Sequence, residues 1–232
     1  MKKIVLTFVL ILSINLSFSQ ERFTISQLEE LGKKHNELIL NSVNNLLEKD
    51  KIVNRENIIE EFKKIDYDLS EIKNTVENIV DLSIKNSNIT LTSIKLDDRF
   101  SNLSKTYLIE IDNAIVEDYN STKKNLENLK QKIVNDIKLN SNDFNLLVGT
   151  IEVAKNSADL WMNNNTNNMF SKKKNVKSIV KADAAASSAY FTGIGIAAFF
   201  PAIGTPVTAA AFLGGWAISA GVGSAYHYFG IE

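Results

Sequence analysis

The chain has 232 residues, with 26 Lys plus Arg against 27 Asp plus Glu, 10 Gly, 2 Pro, 2 His and no Cys. Without Cys there is no disulfide framework, thiolate nucleophile, Cys-based zinc or iron–sulfur site, or lipid-modified N-terminal Cys, and two histidines (His35 and His227) are too few for a multi-histidine metal centre. A formal charge of −1 gives no electrostatic reason to expect nucleic acid as a partner.

Read from the start, MKKIVLTFVLILSINLSFSQ opens on Lys2 and Lys3, runs through an apolar stretch from Ile4 to Leu12 broken by Thr7, and reaches Ser17-Phe18-Ser19. That order of parts predicts a signal peptide over residues 1–19, cleaved after Ser19, because the apolar stretch is too short for a comfortable membrane span. The expected location is therefore exported: periplasmic, secreted or membrane-associated.

From Glu21 to Lys181 there is no Pro, and Gly32 and Gly149 are the only glycines. Sandwiches and barrels need turn residues far more often, so the class predicted is all-α: an elongated amphipathic bundle over residues 20–162. Leu28, Leu31, His35, Leu38, Ser42 and Leu46 fall on one face of a first helix, widened by Ile39, Val43 and Leu47. A second run holds Ile58, Ile59, Phe62 and Ile65. A third holds Leu69, Ile72, Val76, Ile79 and Val80, with Asp68 and Glu71 as its start signal.

From Phe100 the rhythm of Leu103, Tyr107, Ile111, Ile115, Tyr119, Thr122, Leu126, Leu129, Ile133 and Ile137 predicts one long helix or two collinear ones. A further helix is expected over Asn142 to Met162. The Asn-rich MNNNTNNMF stretch and the basic residues that follow it make residues 163–183 a linker. Its lysines, Lys172, Lys173, Lys174, Lys177 and Lys181, are candidate binders of anionic lipid headgroups, against the alternative of a merely solvated face.

The remaining segment, 184–232, is different in kind. No Lys, Arg, Asp or Glu occurs from Ala184 to Ile231, and eight of the ten glycines and both prolines lie beyond residue 192. Pro201, Gly204 and Pro206 predict a turn between two helical arms, Ala184–Phe200 and Val207–Phe229, about 26 and 34 Å long against a hydrocarbon core of about 30 Å. Ala185, Ala189, Gly193 and Ala197 repeat every four residues in the first arm, and Ala211, Gly215, Ser219 and Gly223 do so in the second. Small residues at that spacing let helix backbones approach closely, so the two ladders are expected to zip the hairpin shut. Tyr190, Tyr226 and Tyr228 are expected as interfacial aromatics near its open base.

An exported helical domain ending in an uncharged Ala/Gly-rich hairpin resembles the membrane-inserting end of pore-forming colicins, and the Gly-spaced tail resembles two-peptide bacteriocins. Leu31-Gly32-Lys33-Lys34-His35-Asn36, with Lys181-Ala182-Asp183 opening the tail, is similar to exported helical proteins of Bacteroidetes-like bacteria. The first two resemblances imply membrane activity; the third implies none.

The sequence holds no GxSxG, Walker-type GxxxxGK or HExxH motif, and Gly193-Ile194-Gly195 lacks the third glycine of a dinucleotide loop. The chain is therefore read as a non-enzyme without cofactor, metal or small-molecule substrate, and His35 as a structural hydrogen-bonding residue. Membrane lipid is the expected partner, with self-association or a protein partner beside it. Two readings of the hairpin stay open: a membrane-associated element, bacteriocin-like or pore-forming, or the buried core of a helical scaffold.

Overall fold

With no Pro or Gly between residues 33 and 148, helices in this stretch are set by polar caps and apolar stripes rather than by breakers. The computed structural model describes residues 22–48, 54–64, 76–85, 88–163, 176–193 and 209–229. Among the described residues there are eight α-helices, one 3-10 turn and no strand. The helices are α1 (Ile25–Glu48), α2 (Arg55–Lys64), α3 (Val76–Lys85), α4 (Asn102–Ala114), α5 (Tyr119–Val134), α6 (Ser141–Trp161), α7 (Val176–Phe191) and α8 (Ala209–Phe229); the 3-10 turn is Leu91–Ser93. The predicted signal peptide lies outside the described residues.

Local chemistry fixes the boundaries. At the start of α6, Asn140 Oδ1 accepts from the Asp143 amide at 2.9 Å while Asp143 Oδ2 accepts from the Asn140 amide at 3.1 Å, a reciprocal capping box. Asp143 is fully buried because its other oxygen accepts from the Ser101 amide (2.8 Å) and the Ser104 hydroxyl (2.6 Å), which docks the start of α4 onto the start of α6.

The rhythm from Phe100 to Ile137 is not one long helix, nor two collinear ones. The chain turns at residues 115–118, where Asp118 caps α5 by accepting from the Ser121 amide at 2.8 Å and Thr122 Oγ1 donates to the Val116 carbonyl at 3.0 Å. Helix α5 then runs back along α4: Tyr107 Oη donates to Asp136 at 2.7 Å, and Lys132 pairs with Glu110 at 2.7 Å. Ile137, predicted to face inward, stands fully exposed just past the end of α5.

Helix α6 sits near the middle, buried at every side chain from Asp143 to Ala154, and packs against α1, α4, α5 and α7. Gly32 lets α1 come close enough that a Cβ there would meet the backbone of Glu152 and the side chain of Asn156. A chain of ion pairs rims this contact: Lys130 reaches Glu29 (2.8 Å) and Glu152 (2.7 Å), and Lys155 reaches Glu152 (3.2 Å) and Glu127 (2.5 Å). The hydrogen bond from Lys130 holds the Glu29 carboxyl below its ordinary range, and that from Lys155 does the same for Glu127.

Helix α8 packs on α1, α3 and α7, and its Trp216, Ala217, Ile218, Ala220 and Val222 have no exposed surface. They belong to the same apolar cluster as Leu28 and Leu31 of α1 and Ile151 of α6. A boundary drawn at residue 163 thus does not separate two cores. No helix among the described residues is long and apolar enough to cross a membrane.

Candidate functional site

The uncharged tail has its own geometry. Helix α7 begins at Val176, eight residues before the charge-free stretch, so Lys177, Lys181 and Asp183 are part of the first arm rather than of a linker; it ends at Phe191. Gly193 lies beyond the helix at φ 121° with its amide donating to the Tyr190 carbonyl at 3.3 Å, and so closes the helix instead of joining a ladder. Ala197, Pro201, Gly204 and Pro206 lie outside the described residues. Helix α8 begins at Ala209.

The expected ladder on α8 faces α7. A Cβ on Gly215 would overlap the Tyr190 hydroxyl, a Cβ on Gly223 would lie 3.0 Å from the Ala186 Cβ, and Ser219 Oγ donates to the Ala186 carbonyl at 3.5 Å. On α7 the residues these contacts reach are Ala182, Ala186 and Tyr190; Ala185 and Ala189 are buried as well. Trp216 accounts for this register. Its indole lies where a Cβ on Gly149 of α6 would fall, and its Nε1 donates to Ser187 Oγ at 2.5 Å, so α7 must turn Ser187 toward α8. The side chain of Ala211 lies outside the described residues.

Tyr190, expected as an interfacial aromatic, lies inside the fold. It is buried between Gly215 and the Phe212 ring, and burial drives its phenol pKa upward. The side chains of Tyr226 and Tyr228 lie outside the described residues, as do Lys172, Lys173 and Lys174. The two remaining candidate headgroup lysines already hold partners: Lys181 pairs with Asp112 of α4 at 2.6 Å and Lys177 with Glu117 at 3.4 Å.

Single hydroxyls tie the tail to the helices around it. Thr150 of α6 meets Ser188 of α7 at 2.7 Å, Ser83 of α3 meets Ser219 of α8 at 2.9 Å, and Trp161 Nε1 of α6 donates to Ser224 of α8 at 3.3 Å. Ser83 and Ser188 also donate to the carbonyls four residues back, at 2.7 and 2.9 Å, so these buried oxygens are not left without a partner.

One ionisable group breaks this neutral pattern. Asp183 on α7 accepts from Ser157 Oγ of α6 at 2.5 Å, and its same oxygen stands 3.3 Å from His35 Nε2 of α1; all three side chains are fully buried. Asn36 Nδ2 donates to the Asn156 carbonyl at 2.7 Å, which turns Asn36 Oδ1 toward His35 Nδ1 at 3.0 Å and places the proton on that nitrogen. The arrangement is not one that activates a nucleophile: the serine bonds to the carboxylate, whereas a relay puts histidine between them. Among the described residues no group of His, Asp and Glu fits a metal ion. What the constellation does is join α1, α6 and α7 at one point.

Spacing arguments miss Asp183 and Ser157. The available signal was chemical: Asp183 is the sole acidic residue of α7 and opens directly onto its uncharged small-residue run, and His35 interrupts the apolar stripe of α1. Each needs a buried partner. Comparison with protein families, curated proteins and solved structures finds no match.

Proposed function

We propose that this chain is an exported helical protein that stores a helix pair, uncharged from Ala184 onward, inside an amphipathic sheath and gives it up to a bilayer, in a bacteriocin-like or pore-forming role. Helix α8 carries the reading: 21 residues without Lys, Arg, Asp or Glu, buried at every described side chain from Leu213 to Ala225. At about 32 Å its length matches the hydrocarbon core, but its Gly, Ser and Ala content leaves it less apolar than a lone span. The reading therefore has α7 and α8 move as one packed unit, held by the Ala186–Gly223 and Tyr190–Gly215 contacts.

A covalent lock tests this. The chain has no Cys, and Ser83 and Ser219 meet at 2.9 Å, so Ser83→Cys/Ser219→Cys places a disulfide between α3 and α8. Dye release from vesicles containing anionic lipid is expected from the wild type, to be lost in the oxidised variant and to return on reduction. A wild type that releases no dye sinks the reading.

The second reading, a scaffold or interaction protein with the pair as its permanent core, draws on the hydroxyl contacts from α3 and α6 to α7 and α8. It predicts no leakage in either redox state and a lower unfolding midpoint on reduction.

A further inference from the structure

Three side-chain contacts hold the N-terminal half of α7, two of them ion pairs, and they differ in their access to water. On the outer side Lys177 reaches Glu117, and Lys181 reaches Asp112 with both side chains partly exposed; on the inner side Asp183 meets His35 with neither exposed. Toward its other end α7 is held by apolar packing: Phe191 lies against Phe100, Phe212 and Trp216. The two outer pairs are the only ones joining α7 to the segment 112–117 among the described residues.

An ion pair in contact with water contributes little, because each charge exchanges solvent for a partner at nearly equal free energy. A surface of anionic phosphates attracts each nearby basic side chain to a similar degree. Replacing Asp112 and Glu117 by lipid phosphates is therefore close to neutral for the two lysines. The inner contact behaves differently. A buried carboxylate and imidazole regain hydration when exposed, so this contact resists partial opening but opposes complete opening much less.

We infer that the first half of α7 is a charge-held strap by which the stored pair is tied to α4 and the loop after it, opened when an anionic bilayer takes Lys177 and Lys181 from Glu117 and Asp112. The inference rests on the stored-pair reading and adds what triggers release. The carboxylates of α4 and the loop after it act as internal competitors of the membrane, so removing them favours release although it removes native contacts.

The experiment uses the full chain and vesicles of phosphatidylcholine with or without phosphatidylglycerol, following co-flotation and hydrogen exchange of α7 amides. Wild-type protein is expected to bind the anionic vesicles at least about tenfold better than the neutral ones, with faster α7 exchange once bound. Asp112→Asn/Glu117→Gln is expected to need several-fold less anionic lipid, and Lys177→Gln/Lys181→Gln about tenfold more. Glu30→Gln/Glu56→Gln, which makes the same change in net charge at exposed positions of α1 and α2, controls for charge alone.

Equal shifts in the two carboxylate variants, or equal binding to neutral vesicles, overturn the strap. Leakage by the wild type with no extra shift from Asp112→Asn/Glu117→Gln also overturns it and leaves the stored-pair reading standing. The expected binding shifts without any leakage support the strap and sink that reading.

Discussion

Two buried contacts in this molecule fix helix register with different chemistry. Where α6 meets α1 and α5, long side chains do it: Lys130 and Lys155 thread between Glu29, Glu152 and Glu127, with Glu29 and Glu127 near water. Where α6 and α3 meet α7 and α8, single hydroxyls do it, at Thr150–Ser188, Ser83–Ser219 and Trp161–Ser224. The difference follows dielectric. A lysine can leave its ammonium at the rim while its methylenes cover apolar surface, whereas a buried serine needs one partner and has a carbonyl four residues back in reserve. Asp183 lies on the hydroxyl side of this division but carries the chemistry of the other side, and it is there that the comparison is most easily broken.

The largest effect is expected from Asp183→Ala. It leaves the Ser157 hydroxyl buried without its acceptor and takes away the carboxylate that faces His35 Nε2, and each buried polar group so orphaned usually costs about 1–3 kcal/mol. Urea unfolding measures it. The paired replacement His35→Leu/Asp183→Leu, which removes both groups together, is expected to recover most of that loss. If the double variant is as unstable as the single one, the contact is not a pair in the energetic sense.

Next comes Gly149→Ala. The added methyl falls on the Trp216 ring, which the Ser187 hydrogen bond prevents from sliding away, so about 1–3 kcal/mol of overpacking strain is expected. Combined with Trp216→Leu, which empties that space, the Gly149 substitution should cost much less than it does alone. Simple addition of the two losses would show that the glycine is not there to seat the indole.

These residues also show what the sequence displays and what it hides. The ends of α6 are legible to within a residue, because Asn140 and Asp143 form a cap next to an apolar run. The turn between α4 and α5 is hidden, because Ile115 stays buried and preserves the apolar rhythm through the break; Asp118 is the only local signal. The start of α7 is hidden for another reason: loss of charge at Ala184 is not loss of helix, and Lys177 and Lys181 sit on the same helix as the apolar residues. Spacing also allows several small-residue stripes on α7, with Ala at 182, 184, 185, 186 and 189. The indole of Trp216 selects among them, and its position depends on α6. The meeting of His35 with Asp183 joins residues 148 positions apart, which no local pattern encodes.

The smallest effect separates the two regions by pH. Glu29 is held below its ordinary range by its hydrogen bond from Lys130, and Glu127 by its hydrogen bond from Lys155. A carboxylate whose folded pKa is depressed adds stability that is present above its unfolded value, about 4.3, and is lost as pH falls through the folded one. Stability of the wild type should therefore decline below about pH 5, and Glu29→Gln/Glu127→Gln should flatten that decline. At pH 7 the same variant should cost no more than about 0–1 kcal/mol per pair, since both carboxylates are half-exposed and Lys130 and Lys155 keep Glu152. Urea midpoints at pH 7, 5, 4 and 3 measure both effects. The hydroxyl side has no depressed carboxylate among its three contacts, so Ser83→Ala should shift the midpoint by a similar amount at every pH. A pH-dependent loss in Ser83→Ala as steep as the wild-type decline would mean that the two regions do not unfold under separate electrostatic control.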